Sequence, residues 1–243
     1  MTDLHTHILP GMDDGARTPE TSVKMLRSEL EQGIHGIALT PHMYPHDESL
    51  DSFLRRRQSS FDVLCTAVEK EIPDGDISFY IGAELYWFNG IDNASGIEKL
   101  CIGESGLLLV EMPFDRWPRA YVDALLRMAR RDEYRLVMAH IERYIDRQNP
   151  SVISDLLNSG VMFQCNAGFF TDRRARRGAL HLLSGGAVHF LGSDAHNNGS
   201  LSRGASRRPN MGDALDVIRR DLGSEPLRRL ADNAARFGFR IDQ

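Results

Sequence analysis

The chain has 243 residues, of which 42% are hydrophobic and 26% charged, and its formal net charge is −5. This length suits one domain of α/β-barrel size with a sizeable core, so a single domain over residues 1–243 is expected. The acidic balance argues against a dedicated nucleic-acid binder even though arginine outnumbers lysine 26 to 3, and no apolar run reaches the roughly 18 residues of a membrane span.

The opening stretch MTDLHTHILPGMDDG lacks the basic and apolar regions of a secretory signal. Three cysteines, Cys65, Cys101 and Cys165, are far apart, form no CxxC and sit among apolar neighbours. They read as buried thiols in a reducing compartment, and the expected location is the cytoplasm.

In chain order, the segments TDLHTHI, HGIALTPH, ISFYIGAEL, GLLLVEMP, RLVMAHIE, VMFQCNAGF and VHFLGSDAH read as strands, each a short run of β-formers or continuous aliphatics. The stretch TPETSVKMLRSELEQG reads as a helix with Thr18 as N-cap, Pro19 in the first turn and Gly33 as its stop. Further helices are expected to begin near Ser49, Pro118, Pro150, Asp172, Asn210 and Ser224. About seven strands alternating with helices imply parallel βαβ units, and a closed or distorted barrel more than an open sheet.

The side chains able to bind metal keep phase with these strands. His5 and His7, His42, Glu84, Glu111, His140, and then Asp194 and His196 lie at or just beyond the C-terminal ends of six of them. In a parallel barrel those ends share one face, where active sites are built. Alternation puts His5 and His7 on the same side of their strand, and a turn at Pro10-Gly11 lets Asp14 fold back over the strand end.

Five imidazoles and four carboxylates exceed the needs of one zinc ion, so two or three bridged ions are expected; mixed nitrogen and oxygen donors suit Mn, Fe, Co or Zn. Three divalent ions exceed four carboxylates by about two positive charges, which suits a phosphate dianion and attack on phosphorus by a hydroxide bridging two ions. Arg143, three residues after His140, is placed to grip phosphate oxygens bidentately.

The set DLHTHILPGMDDG, LTPH, GAEL, VEMP, AHIER and GSDAHN resembles the PHP (polymerase and histidinol phosphatase) superfamily, most closely its manganese-dependent bacterial tyrosine-protein phosphatases of capsule and exopolysaccharide loci. The resemblance implies a distorted seven-stranded (β/α) barrel with a three-metal centre. It implies His5, His7, Asp14, His42, Glu84, Glu111, His140, Asp194 and His196 as ligands, manganese as the first choice of ion, and Arg143 as a phosphate-binding residue. A second arginine precedes proline in the family, and Arg207 and Arg208 are both its candidates, because residues 200–206 form a longer insert than usual. The resemblance also implies a partner, the tyrosine-phosphorylated tail of a membrane-associated bacterial kinase; Arg173 to Arg177 are candidates for contacting it, and Tyr86 and Trp87 for lining an aryl pocket. A histidinol-phosphate type of small-molecule phosphatase is the alternative. Asp13 and His46 are candidate proton donors to the leaving group.

Overall fold

The seven apolar segments form nine short strands, because two of them break. The computed structural model describes residues 1–199 and 207–241. Its strands are β1 (Thr2–Thr6), β2 (Gly36–Leu39), β3 (His42–Met43), β4 (Ser78–Ile81), β5 (Glu84–Tyr86), β6 (Leu107–Glu111), β7 (Arg135–Met138), β8 (Met162–Asn166) and β9 (Phe190–Gly192). The breaks fall at Thr40-Pro41 and at Gly82-Ala83. Proline has no N–H to give to a ladder, and Gly82 passes so close to Ile102 that a Cβ there would meet it at 2.9 Å. Pairing nevertheless continues across both breaks: Gly82 N–H donates to the Leu39 carbonyl at 2.9 Å and Glu84 N–H to the Pro41 carbonyl at 3.0 Å.

Every ladder is parallel. β3-β5-β6-β7-β8-β9 make a curled six-stranded sheet and β1-β2-β4 a three-stranded one. The two meet where Thr6 bridges Ala195, with His7 N–H donating to the Ala195 carbonyl at 3.0 Å and Asp194 N–H to the His5 carbonyl at 2.8 Å.

The helices are α1 (Pro19–Glu31), α2 (Leu50–Glu71), α3 (Arg119–Met128), α4 (Pro150–Asn158), α5 (Ala167–Thr171), α6 (Arg176–Ser184), α7 (Met211–Leu222) and α8 (Glu225–Arg236). Thr18 caps α1 through its side chain and Pro19 opens the first turn; Gly33, at φ +74°, ends it. Two expectations need correction. α5 begins inside the segment read as the sixth strand, which stops at Asn166. The helix expected from Asp172 starts at Arg176, because the Asp172 carboxylate first holds the N–H groups of Arg174 and Ala175 at 2.7 and 2.9 Å in a turn.

Alternate strand residues feed two cores. Leu108, Val110, Leu136 and Met138 join the large cluster that includes helix residues such as Leu26, Leu125 and Leu156, whereas Leu4, Ala38, Leu107, Leu109, Val137 and Phe190 fill a smaller inner cluster. Both faces of the parallel sheet are therefore buried, which is why its strands read as continuous apolar runs. The register of β1 shifts between Asp3 and Thr6. That irregularity lets Asp3 meet Glu29 of α1 while Leu4 packs inward and His5 turns toward Glu84.

Candidate metal centre

His5 lies on β1 and His7 just beyond it, with their Nε2 atoms 3.1 Å apart. The following loop folds back because Gly15 has no side chain: a Cβ there would meet the His7 carbonyl at 2.2 Å, and instead Ala16 N–H donates to that carbonyl at 2.9 Å. The fold-back brings Asp14 Oδ1 to 3.3 Å from His196 Nε2 and 3.7 Å from His42 Nε2. Its neighbour Asp13 turns inward, accepting from His42 N–H at 2.9 Å and pairing with His7 Nδ1 at 2.7 Å. Because a carboxylate only accepts, His7 carries its proton on Nδ1 and presents Nε2 to the centre.

The breaks in the strands set the next two residues side by side, since His42 of β3 is in register with Glu84 of β5. Glu84 is central. Its Oε2 lies 2.9 Å from His42 Nδ1, 3.2 Å from His5 Nε2 and 3.4 Å from His7 Nε2, and its Oε1 lies 2.8 Å from His140 Nε2. Glu111 at the end of β6 comes within 3.4 Å of His140 and 3.7 Å of His42.

These contacts include atoms that hydrogen bonding does not satisfy. Glu84 Oε2, His42 Nδ1 and His196 Nε2 are buried and have no hydrogen-bond partner, although Glu84 Oε2 has three imidazole nitrogens around it. Short separations without hydrogen-bond alignment are what donors directed at a shared central point produce, and buried polar atoms left this way are costly. Three overlapping groups have ligand atoms close enough to hold an ion: His7, Asp14, His42 and His196; His5, His7 and Glu84; and His42, Glu84 and Glu111. The donor set of imidazoles and carboxylates without thiolate fits a divalent first-row ion.

His140 and Asp194 are, among the described residues, the two non-glycine residues with positive φ, at 32° and 54°. Such conformations cost about 1–3 kcal/mol each and collect at functional sites. Beside them, Arg143 and Arg207 both donate to the Asp194 carboxylate, one to each oxygen. They line a cavity of 240 Å³ that includes Asn166, Ser193 and Asn210. Arg208 also borders it but pairs with Asp213 at 3.2 Å in an exposed position.

Opposed charges fix the ionisation of the centre. Burial works against the Glu84 charge, but His5, His140 and His42 outweigh it and hold the carboxyl well below the usual range. Asp194 is likewise held low against burial by His5, His7 and Arg207. The His196 contact, against partial burial, keeps Asp14 at about 2. In return, His140 rises to about 9, because Glu111 and Glu84 overcome its burial. His140 thus holds a proton that a bound cation would displace.

The family described as capsular polysaccharide synthesis, CpsB/CapC, matches residues 1–237. The chain belongs to this family. It is 30% identical over 241 residues to the tyrosine-protein phosphatase YwqE of Bacillus subtilis, covering 96% of this chain and 90% of that one. It is 27% identical over 246 residues to the tyrosine-protein phosphatase CpsB of Streptococcus pneumoniae, covering 95% and 94%. The fold matches a solved structure from work on YwqE of Bacillus subtilis and CpsB of Streptococcus pneumoniae, described as metal-dependent tyrosine phosphatases, with a TM-score of 0.82 at 29% identity over 97% of this chain and 93% of that one. An organophosphorus hydrolase of Deinococcus radiodurans, at 14% identity, TM-score 0.54 and coverage of 97% and 92%, shares the fold alone.

In this CpsB/CapC member all nine residues expected as ligands lie together, with Asp14 the most exposed of them at 67% of its side chain. Arg143 and Arg207 face the centre and Arg208 does not. The insert at residues 200–206 lies outside the described residues. Three expectations about neighbouring residues are revised. Trp87 is buried against Tyr121, with ring centroids 4.6 Å apart, and so packs the fold rather than lining a pocket. Asp13 is unsuited to donate a proton: burial disfavours its charge, but His7 and the N–H groups of His42 and Gly15 hold it well below the usual range. Cys65 is half-buried, unlike Cys101 and Cys165. Sequence reasoning missed Tyr44, stacked on His42 at 5.1 Å and near Tyr86 at 5.5 Å, and Phe114, which is 43% exposed beside His140 and Arg143. An aromatic two or three residues past a strand-end ligand, as in HMY and EMPF, is the signal that marks them.

Proposed function

We propose that this chain is a metal-dependent protein-tyrosine phosphatase, and that His5, His7, Asp14, His42, Glu84, Glu111, His140, Asp194 and His196 hold two or three divalent ions, manganese first among Mn, Fe, Co and Zn. The observation that carries this reading is Glu84 Oε2, buried, without a hydrogen bond, and within 3.4 Å of three imidazole nitrogens in a chain whose family match runs almost end to end. When bound, divalent ions supply an activated water as nucleophile and the positive charge that stabilises the transferring phosphoryl group.

The chain's own groups do the rest. Arg143 and Arg207 exchange Asp194 for two phosphoryl oxygens and grip them as charge builds in the transition state. Asp13 holds the His7 tautomer. Tyr44, Tyr86 and Phe114 form an aromatic rim for the substrate ring. A phenolate is a good leaving group, so the lack of a dedicated acid costs little. Arg208 lies outside this machinery.

The same reading takes residues 1–243 as one domain whose nine strands occupy seven barrel positions, β3 continuing β2 and β5 continuing β4. Its substrate is the tyrosine-phosphorylated tail of a membrane-associated bacterial kinase. No helix among the described residues is long and apolar enough to cross a membrane, and three free cysteines suit the cytoplasm.

The test is hydrolysis of p-nitrophenyl phosphate after chelation and after adding back Mn, Zn, Mg or Co, with ions counted per chain, followed by phosphotyrosyl peptide against histidinol phosphate. Restoration by Mn and preference for the peptide are expected. Bound metal without turnover would remove the enzymatic reading, and preference for histidinol phosphate would replace the substrate.

A further inference from the structure

Among the described residues, β8 is the only strand of the six-stranded sheet whose end carries no expected metal ligand, yet two of its side chains point to the centre. Gln164 is fully buried. Its Oε1 accepts from His140 N–H at 2.7 Å and lies 3.2 Å from His5 Nδ1. Its Nε2 donates to Asn166 Oδ1 at 2.9 Å, and Asn166 Nδ2 donates to Asp194 Oδ2 at 2.8 Å. Alternation along the strand puts both amides on one face, two residues apart.

The polarity of this chain of bonds is fixed at both ends. His140 N–H can only donate, so the atom of Gln164 facing it is the oxygen; the Asp194 carboxylate only accepts, so the atom of Asn166 facing it is the nitrogen. The oxygen of Gln164 in turn requires His5 to carry its proton on Nδ1, which leaves Nε2 free toward Glu84 and His7. One strand thereby sets the tautomer of His5, the backbone of His140 at its positive φ, and the rotation of Asp194.

Gly192 makes the contact sterically open. It pairs with Asn166 in the β8–β9 ladder, and a Cβ there would meet His5 Cβ at 2.5 Å and Gln164 Nε2 at 3.0 Å. Any larger residue on β9 would push His5 and Gln164 apart.

We propose that Gln164 and Asn166 are positioning residues: an amide relay that pre-orients His5, His140 and Asp194 for metal. This rests on the metal-centre reading above. Hydrogen-bonded partners behind metal ligands are worth about 10–100-fold in metal affinity.

The experiment titrates Mn²⁺ into the metal-stripped full chain and into Gln164→Met, Gln164→Glu and Asn166→Ala, and records the thermal midpoint of each metal-free protein. Gln164→Met keeps volume without accepting a bond and should lose about 10–100-fold in Mn²⁺ affinity, with a lower metal-free midpoint because the buried His140 N–H loses its partner. Gln164→Glu still accepts from His5 and His140 but no longer donates to Asn166, and should recover part of that loss; Asn166→Ala should weaken binding to an intermediate degree. If the unmodified chain binds Mn²⁺ and all three variants bind as tightly, the relay is wrong although the metal centre stands. Equal losses in Gln164→Met and Gln164→Glu, matched by equal falls in the metal-free midpoint, would make Gln164 a packing residue and overturn the relay as well. An unmodified chain that binds no Mn²⁺ would overturn the metal reading, and the relay with it.

Discussion

Glu84 and Glu29 are the same residue type, both with no exposed surface, and their protons behave in opposite ways. At Glu84 the penalty of burial is overcome by His5, His140 and His42, so the carboxyl stays ionised. At Glu29, on α1, burial is reinforced by the negative charge of Asp3, and the carboxyl is pushed well above its ordinary range. Depth is equal, so the sign of the neighbours decides. A buried carboxylate among imidazoles is a cation site in waiting, whereas a buried carboxyl facing another carboxyl is a shared proton.

The largest effect expected from this contrast comes from Glu84→Ala. It takes one carboxylate from the middle of four imidazoles, and turnover of p-nitrophenyl phosphate should fall to the rate of the metal-stripped chain, with metal content per chain reduced. Full occupancy and normal turnover would show that the contrast has no functional weight. Next in size, Arg143→Ala should lose about 10²–10³-fold in kcat/KM while retaining metal, as a lost transition-state donor does. Arg207→Ala should behave the same way. Arg208→Ala, which breaks an exposed pair, should change kcat/KM by less than about twofold.

Glu29 gives a prediction about stability. Its folded-state pKa lies above the unfolded one, so the native chain holds more protons. Its contribution is complete below about pH 4 and is lost as pH rises beyond the usual glutamate range. Glu29→Gln supplies Asp3 with an amide donor that titration cannot remove, and should raise stability by about 1–2 kcal/mol at pH 8, or a few degrees in thermal midpoint, with little gain at pH 4. Denaturant melts at the two pH values read this directly; a gain of equal size at both would mean that Glu29 is ionised or already paired. A smaller effect than those of Glu84 and the two inward arginines belongs to the rim. Phe114→Ala should raise KM for an aryl phosphate by about 3- to 10-fold and leave an alkyl phosphate unchanged, as loss of one aromatic contact implies; equal changes for both would deny the rim a role in selecting the ring.

The gathering of His5, His42, Glu84, Glu111 and His140 was legible in the sequence because parallel strands share a direction, so residues at their ends share a face. The doubling of two strands was less so: Pro41 and Gly82 are plain in the sequence, but only the register of Glu84 against Pro41 and His42 tells that pairing resumes after the break. Asp3 escaped notice because alternation alone would place it beside His5, and the shift in β1 turns it to α1. Gln164 and Asn166 escaped because amides carry no metal signature. Arg207 and Arg208 are adjacent, and only the backbone contact of Arg207 with His196, whose N–H donates to the Arg207 carbonyl at 2.8 Å, decides which one turns inward.

The bridge between Thr6 and Ala195 has a consequence for the order of events in folding. The second neighbour of β1 is made about 190 residues after it, and until then His5 and His7 have no Asp194 or His196 to face. Closing so long a loop is entropically costly and slow. On the proposed ligand set, a nascent or truncated chain that ends before residue 196 would hold only fragments of the candidate metal centre, and ion capture would belong to the last stage of folding, when the two ends of the sheet system are sewn together.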